Sequence, residues 1–430
     1  MKNIILWCFF TIPLFSSDSL NSLIDYALKH SVIINQTKAQ YEIAKLAHKQ
    51  SRSKQFGEID GVGSYTHYNI ERTLAPLPPS AMMSGKPITT TKDIYSAGVN
   101  YSVPLFTGFG MTRGIEMANI AKEMSKAKTK LTKEELVYNI KSLYLTILAL
   151  SDIKNAQKSY ITALERLKKD IAYKVQLGKK AEVDLIKSEA DIEEAKANLE
   201  NIEANIQITK STLASLVGRD IKSVSPISFK IKKNNYDIRK LYKKSAELQK
   251  IKVEDLAIKK ADKFVKKSKS ALYPQLSLNA YYGKNYGKDI KTGINDDEEI
   301  YQVGLNAKYD LIDFGKTSTD IQKAKLERLQ ARLKKTQTLL DLKKLIIKAV
   351  SQIKRDYAMY KSNYQRYKLS KKSAQIENVR YNNNVSTLND LLLAKAKENL
   401  AKAKLIESRY NYKKSVYFLD YIMEKGVKDE

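Results

Sequence analysis

Hydrophobic and polar positions change period several times along this chain, and the changes mark out its elements. From about Met111 to Gln176 apolar residues recur at spacings of three and four, as in Leu136, Ile140, Leu143, Ile147 and Leu150. That is the seam of a helix packed in a coiled coil. Only Gly114 interrupts the run, and no proline does. A single helix of roughly 100 Å is predicted, at a rise of about 1.5 Å per residue. A partner helix is expected from about Ala181 to Leu216, stopped by Gly218, which suits a left-handed C-terminal cap. The stretches from about Thr317 to Arg380 and from Leu388 to Tyr421 predict a second long pair. Helices this long need neighbours along their length, as in a bundle or tube.

Elsewhere the period falls to two. Tyr301 to Tyr309 and Tyr95 to Val103 alternate strictly, Leu276 to Tyr282 less cleanly, and Ile59 to Tyr68 most weakly. Such strands put one face in apolar surroundings and the other in water or against small residues. The predicted strands cover about 57–70, 93–106, 273–287 and 298–311. Segments of nine or ten residues can cross an outer membrane at a tilt, and Tyr95, Tyr101, Tyr301 and Tyr309 near their ends suit an interfacial girdle. An open four-stranded sheet in lipid would leave edge backbone groups unpaired, at several kcal/mol each. Membrane barrels begin at about eight strands. Sister chains are therefore required, and three chains of four strands would supply twelve. A soluble antiparallel sheet packed on helices is the alternative this pattern leaves open.

The chain also repeats itself. VGLNAKYDLIDFGK (Val303 to Lys316) matches AGVNYSVPLFTGFG (Ala97 to Gly110), about 205 residues earlier, through Gly98/Gly304, Asn100/Asn306, Leu105/Leu311, Phe109/Phe314 and Gly110/Gly315. This match leaves one residue missing from the second copy. LGKKAEVDLIKSEA (Leu177 to Ala190) lies over NNVSTLNDLLLAKA (Asn383 to Ala396), pairing Asp184 with Asp390. FGEIDGVGSYTHY (Phe56 to Tyr68) falls against YPQLSLNAYYGKN (Tyr273 to Asn285). A period near 200 residues indicates duplication rather than a solenoid. The expected copies are 18–220 and 221–430, each a helix, two strands and a long helical hairpin, at 111–218 and 316–422.

The glycine-rich turn SVPLFTGFG, between strand and helix, invites a phosphate-binding reading. Its spacing is wrong: Gly108, Gly110 and Gly114 make GxGxxxG, and in the second copy Asp310 stands where a P-loop needs its first glycine. A mechanical role fits better. Pro104 or Asp310 would end the strand, and Gly108, Gly110 and Gly315 would let the backbone swing into a helix.

Composition changes the picture less than it first suggests. The formal charge is +29, with 29% charged and 43% hydrophobic residues. A basic balance can indicate nucleic acid or an anionic surface. Here Lys and Arg are spread over the whole length without a dense block, as on solvated helix faces. Residues 1–17 read as a secretory signal peptide: Lys2, an apolar run from Ile4 to Phe15, then Ser16 and Ser17. Cleavage there would remove Trp7 and Cys8, the chain's only tryptophan and cysteine. No later segment holds 18 uninterrupted apolar residues, so no helical membrane span is expected. His30, His48 and His67 are scattered, no nucleophile has an evident base, and no metal, cofactor or enzymatic activity is expected. The proline-bearing segment Glu71 to Lys92 and the acidic run Asn295 to Glu299 read as surface loops, outside the cell in a barrel topology.

The paired turns PLFTGFG and YDLIDFGK, with the tip segments LGKKAEVDL and NNNVSTLNDLL, resemble the TolC-like outer-membrane efflux proteins. The resemblance covers essentially the whole chain after the leader. It lies in the order of motifs, each weak alone. It implies a mainly helical homotrimer with a β-barrel part: twelve strands in outer-membrane lipid, continued by an α-helical periplasmic tube. It further implies a passive exit duct of a tripartite efflux or type I secretion system, docked through a periplasmic adaptor onto an inner-membrane pump. The residues Leu177, Gly178, Lys179, Asn383, Asn384 and Val385 would be the adaptor-contact tips, with Asn384 replacing a glycine. Asp390 falls where the family places an aspartate ring at the pore entrance, although Thr387 to Asp390 also reads as a plain helix cap. By the same resemblance Asp184 and Tyr381 would form a gate link, with Ser386 in place of the family's arginine. Two rivals are a basic coiled-coil protein, structural or binding nucleic acid, and a periplasmic adaptor. The resemblance implies no nucleic-acid partner, and an adaptor normally carries one hairpin flanked by several small β domains.

Overall fold

In a computed structural model, residues 18–83 and 88–427 are described. The apolar leader with Trp7 and Cys8, and Pro87, lie outside them. The order is α1 (Leu20–His30), α2 (Val32–Ser53), β1 (Glu58–Thr73), α3 (Pro79–Met83), β2 (Thr90–Thr107), α4 (Gly110–Gln176) and α5 (Glu182–Val217). Then follow α6 (Ile238–Lys244), α7 (Gln249–Ser268), β3 (Gln275–Lys288), β4 (Asn295–Lys308), α8 (Lys316–Asn382) and α9 (Leu388–Ile422). The chain divides into two units, and α4 and α8 contribute residues to both.

One unit comprises the chain up to Lys38, 128–251 and from Thr338 onward. Its core takes Leu136, Ile140 and Ile147 from the expected seam, while Leu143 and Leu150 are only half-buried; Val137 and Tyr144 of α4 join them, with Leu23 and Ala27 of α1 and Leu213 and Val217 of α5. The second copy builds its own cluster from Leu342, Ile346, Ala349, Val350 and Ile353 of α8 with Tyr412, Leu419 and Ile422 of α9. α4 holds a window apolar enough, by length and composition alone, to cross a membrane. Polar side chains also cross-link the helices. Asn399 donates to the Gln157 side chain at 2.8 Å, Gln157 to the Ala195 carbonyl at 2.8 Å, and Tyr410 to the Asp152 carboxylate at 2.8 Å. Tyr144 reaches the carbonyls of Asp18 and Ser225 at 3.0 and 2.6 Å, and Arg219 pairs with Asp18 at 2.6 Å. Glu134 accepts from the Gly426 and Val427 amides at 2.7 and 2.9 Å, although burial pushes its carboxyl above the ordinary range.

The other unit comprises 39–127 and 252–337. Its strands form one antiparallel sheet in the order β1-β2-β3-β4, leaving β1 and β4 as open edges. The apolar phase of each strand meets that of the next: Val99 pairs with Tyr282, Leu278 with Leu305, and Tyr282 with Tyr301. Three sequence expectations need correction. Pro104 does not end β2, which continues to Thr107; the ladder shifts register between Pro104 and Phe106, so the proline marks a bulge. The acidic run Asn295 to Glu299 is not a loop but the start of β4, where Asp297 meets Lys284 across the ladder at 2.8 Å. The strands β1 and β2 extend into the expected outer loop, joined by Arg72↔Thr91 and Thr73↔Thr90. The β3–β4 turn is fixed by Asp289, which accepts from the Thr292, Thr90 and Lys291 amides; these bonds hold its carboxyl down at about 2.

Candidate functional site: hairpin tips and strand-to-helix turns

Each long hairpin turns in the same way. At the α4–α5 tip, Gly178 has φ +66°, its amide donates to Val175 at 2.9 Å, and the Lys179 amide reaches back to Lys174 at 2.8 Å. At the α8–α9 tip, Asn384 has φ +60°, donates to Tyr381 at 3.1 Å, and Val385 reaches Arg380 at 2.8 Å. Both are Schellman closures, in which a left-handed residue lets two amides satisfy the last helical carbonyls. Asn serves there because its short polar side chain tolerates that conformation. Leu177, Gly178, Lys179, Asn383, Asn384 and Val385 are all exposed.

The helices leaving the tips begin differently. Thr387 closes a capping box on α9: its hydroxyl accepts from the Asp390 amide at 3.2 Å and donates to the Asp390 carboxylate at 2.7 Å, which also accepts from the Thr387 amide at 3.1 Å. The Thr387 hydroxyl, then its amide, holds the Asp390 carboxyl below the ordinary range. Asp390 is exposed and sits in the first turn of α9. On α5 the cap position is Ala181, which has no side chain to offer, so the matching Asp184 is outside any capping box and is half-buried.

Tyr381 is the most enclosed of the site residues, at 1% exposure, within a cluster of Ile171, Ile192, Leu388 and Leu391. Two ammonium groups approach its ring, Lys180 at 4.7 Å and Lys174 at 5.3 Å from the centroid. Its hydroxyl has no hydrogen-bond partner among the described residues. Burial, with the charges of Asp184 and Asp170, pushes that hydroxyl above its ordinary value. Asp184 and Tyr381 thus feel each other electrostatically but share no hydrogen bond. The two lysines went unnoticed in the sequence, where nothing marks them among so many others.

In the unit that carries the sheet, the strand-to-helix turns use consecutive left-handed residues: Gly108 and Phe109 at +56° and +67°, Phe314 and Gly315 at +50° and +89°. The second pair lies 206 residues after the first, as Lys316 at the start of α8 lies 206 after Gly110 at the start of α4. No residue is therefore missing from the second copy; backbone conformation, not the Phe-Gly letters, sets the correspondence. Gly110 takes part as the first residue of α4, where the Met111 amide donates to the Thr107 hydroxyl at 3.1 Å. In the second turn Asp310 follows the end of β4, whereas Asp313 does the work, accepting from the Gly315 and Thr317 amides at 3.0 and 2.8 Å. Asp313 was missed, although an Asp four residues before a helical Thr is a readable turn signal.

Paired helical hairpins with left-handed tips are joined by glycine turns to a four-stranded sheet of alternating pattern. The family model for outer membrane efflux proteins matches residues 23–219 and 242–422. The chain belongs to the outer membrane efflux protein family. It is an outer-membrane exit duct for efflux, a passive conduit extending from the outer membrane into the periplasm. The nucleic-acid and adaptor readings fall away. Among solved structures it is similar to the CmeC outer membrane channel of Campylobacter jejuni, with TM-score 0.79, 18% identity, and coverage of 95% of this chain and 86% of that one. The outer membrane protein VceC of Vibrio cholerae gives 0.75, 17% identity, and 94% and 96% coverage. The open-state MtrE outer membrane channel of Neisseria gonorrhoeae gives 0.76, 16% identity, and 95% and 89% coverage. At these identities the likeness concerns the fold. No curated protein sequence matches the chain.

Proposed function

We propose that three copies of this chain close their four-stranded sheets into one twelve-stranded barrel in outer-membrane lipid. The observation that carries this reading is the pair of open edges, β1 and β4, on a sheet whose apolar phase is bare: Leu305 is 74% exposed. Unpaired backbone groups at such edges cost several kcal/mol each in hydrocarbon. The exposed tips, Leu177 to Lys179 and Asn383 to Val385, are the surfaces offered to a periplasmic adaptor, which in turn joins an inner-membrane pump. Three Asp390 carboxylates around the axis form a cation-attracting constriction beside their capping role. Asp184 and the Tyr381 hydroxyl, which share no hydrogen bond within one chain, form a link between neighbouring helix pairs that keeps the entrance shut. The leader 1–17 directs export.

Single-channel recording tests the site. Asp390→Ala should weaken block by trivalent cations, and unchanged block removes the carboxylate ring. Tyr381→Phe keeps the ring and its lysines but loses the hydroxyl; resting conductance should rise, as it should for Asp184→Ala. Conductance at the parent level in both would overturn the link.

A further inference from the structure

The two copies in the chain are copies in geometry as well as in letters, and this specifies how one chain meets the next. Strand β3 starts 217 residues after β1, and the second turn, helix and tip follow the first by 206. Advancing β1 by 217 and β2 by 206 turns the observed pair Ile59↔Tyr101 into Leu276↔Ala307, and Tyr65↔Tyr95 into Tyr282↔Tyr301. Both are pairs of the observed β3–β4 ladder. The internal repeat therefore carries strand register without error.

The inner contact of the sheet, β2 on β3, has no second instance within one chain, and what it would cover is bare. β2 is largely half-buried, whereas β4 is exposed at all but one position. Residues 111–127 of α4 are mostly half-buried, those at 317–333 of α8 mostly exposed. The last residues of β2 are held by β3 alone, through Phe106↔Leu276 and Thr107↔Gln275, beyond the end of the β1 ladder at Ser102. The corresponding stretch after Lys308 has no such partner and is not strand, although it carries Tyr309, Leu311, Ile312 and Phe314, the last 95% exposed.

We infer that β1 of a second copy adds to β4 in the register of the β2–β3 ladder, and that this contact converts 309–313 into strand. The inference rests on the barrel reading above. Advancing β2 by 206 and moving β3 back by 217 sets Ala307 opposite Gly63 of a second copy, Asn306 opposite Ser64, Leu305 opposite Tyr65 and Gly304 opposite Thr66. The parity agrees with the pleat: Leu305 and Tyr65 both belong to the bare apolar phase, which a slip of one residue would break. One pair has like charge, Asp310 against Asp60, and Lys308, 3.7 Å from Asp310, is placed to offset it.

Disulfide trapping tests the register in the full chain, with Cys8→Ser to remove the native thiol. Two variants are needed: Ser64→Cys with Asn306→Cys, and Gly63→Cys with Ala307→Cys. Adjacent pairs alternate between the two antiparallel spacings and faces, so one variant remains informative where the other fails to fold or oxidise. Mild oxidation of the assembled protein should shift the monomer band on non-reducing gels to linked dimer and trimer. Thr66→Cys with Asn306→Cys, two residues out of register, should stay monomeric. Native mass and lysine-reactive cross-linking are measured alongside. A trimer in which the slipped pair links, or neither predicted pair does, overturns the register while leaving the barrel intact. A protein with no trimer by either measurement overturns both.

Discussion

Asp390 carries two demands that pull its acidity in opposite directions. In a single chain the Thr387 hydroxyl and amide depress its pKa. A depressed carboxyl contributes stability that is present above its unfolded value of 3.8 and is lost as pH falls through the folded value. Three such groups around one axis would repel, and the pKa would rise instead. Cation block that is lost on acidification in the parent, with that pH dependence gone in Asp390→Ala, supports the ring; a pH dependence the two share leaves Asp390 its capping role alone. Thr387→Ala should cost about 1 kcal/mol at the start of α9, read as faster amide exchange in its first turn. At the other tip Gly178→Asn should be tolerated, because Asn384 holds the same conformation in the second copy, while Gly178→Val should open the turn to proteolysis. These left-handed tips could be read from residue type. The lysine pair over Tyr381 could not, since Lys174 and Lys180 precede it by about 200 positions and meet it only in the folded tip.

Among the elements, the long helices follow from local periodicity because each buries one stripe continuously. Ile140, fully buried in the α4 seam, should cost about 2–5 kcal/mol when cut to Ala, visible as a lower unfolding midpoint. The glycine turns were legible as turns, yet their letters misled over correspondence. Matching Phe109 with Phe314 suggested a deletion, while the left-handed pairs Gly108–Phe109 and Phe314–Gly315 keep a constant spacing. A Cβ on Gly108 would come within 2.9 Å of Tyr273 Cβ, whereas one on Gly315 meets nothing within the chain. Gly108→Ala should therefore impair folding of the single chain. Gly315→Ala should cost less, because only the left-handed backbone at φ +89° opposes it, read as an unfolding midpoint lowered less than that of Gly108→Ala.

For the whole molecule, the sheet has one apolar face and two unsatisfied edges, which a lone chain cannot bring into lipid. Leu305→Arg on that face should destabilise insertion by about 2–4 kcal/mol near the bilayer midplane, measured as lost heat-resistant trimer. Asn306→Arg, on the other face, should assemble and change conductance instead. The sequence alone determined the element types and the duplication, because periods of 3.5 and 2 are local properties of the chain. The tertiary structure decided the bulge at Pro104, the true start of β4, the enclosure of Tyr381 and the spacing that links the two copies. Each depends on groups far apart in sequence, whose meeting is set by packing and register rather than by any local pattern.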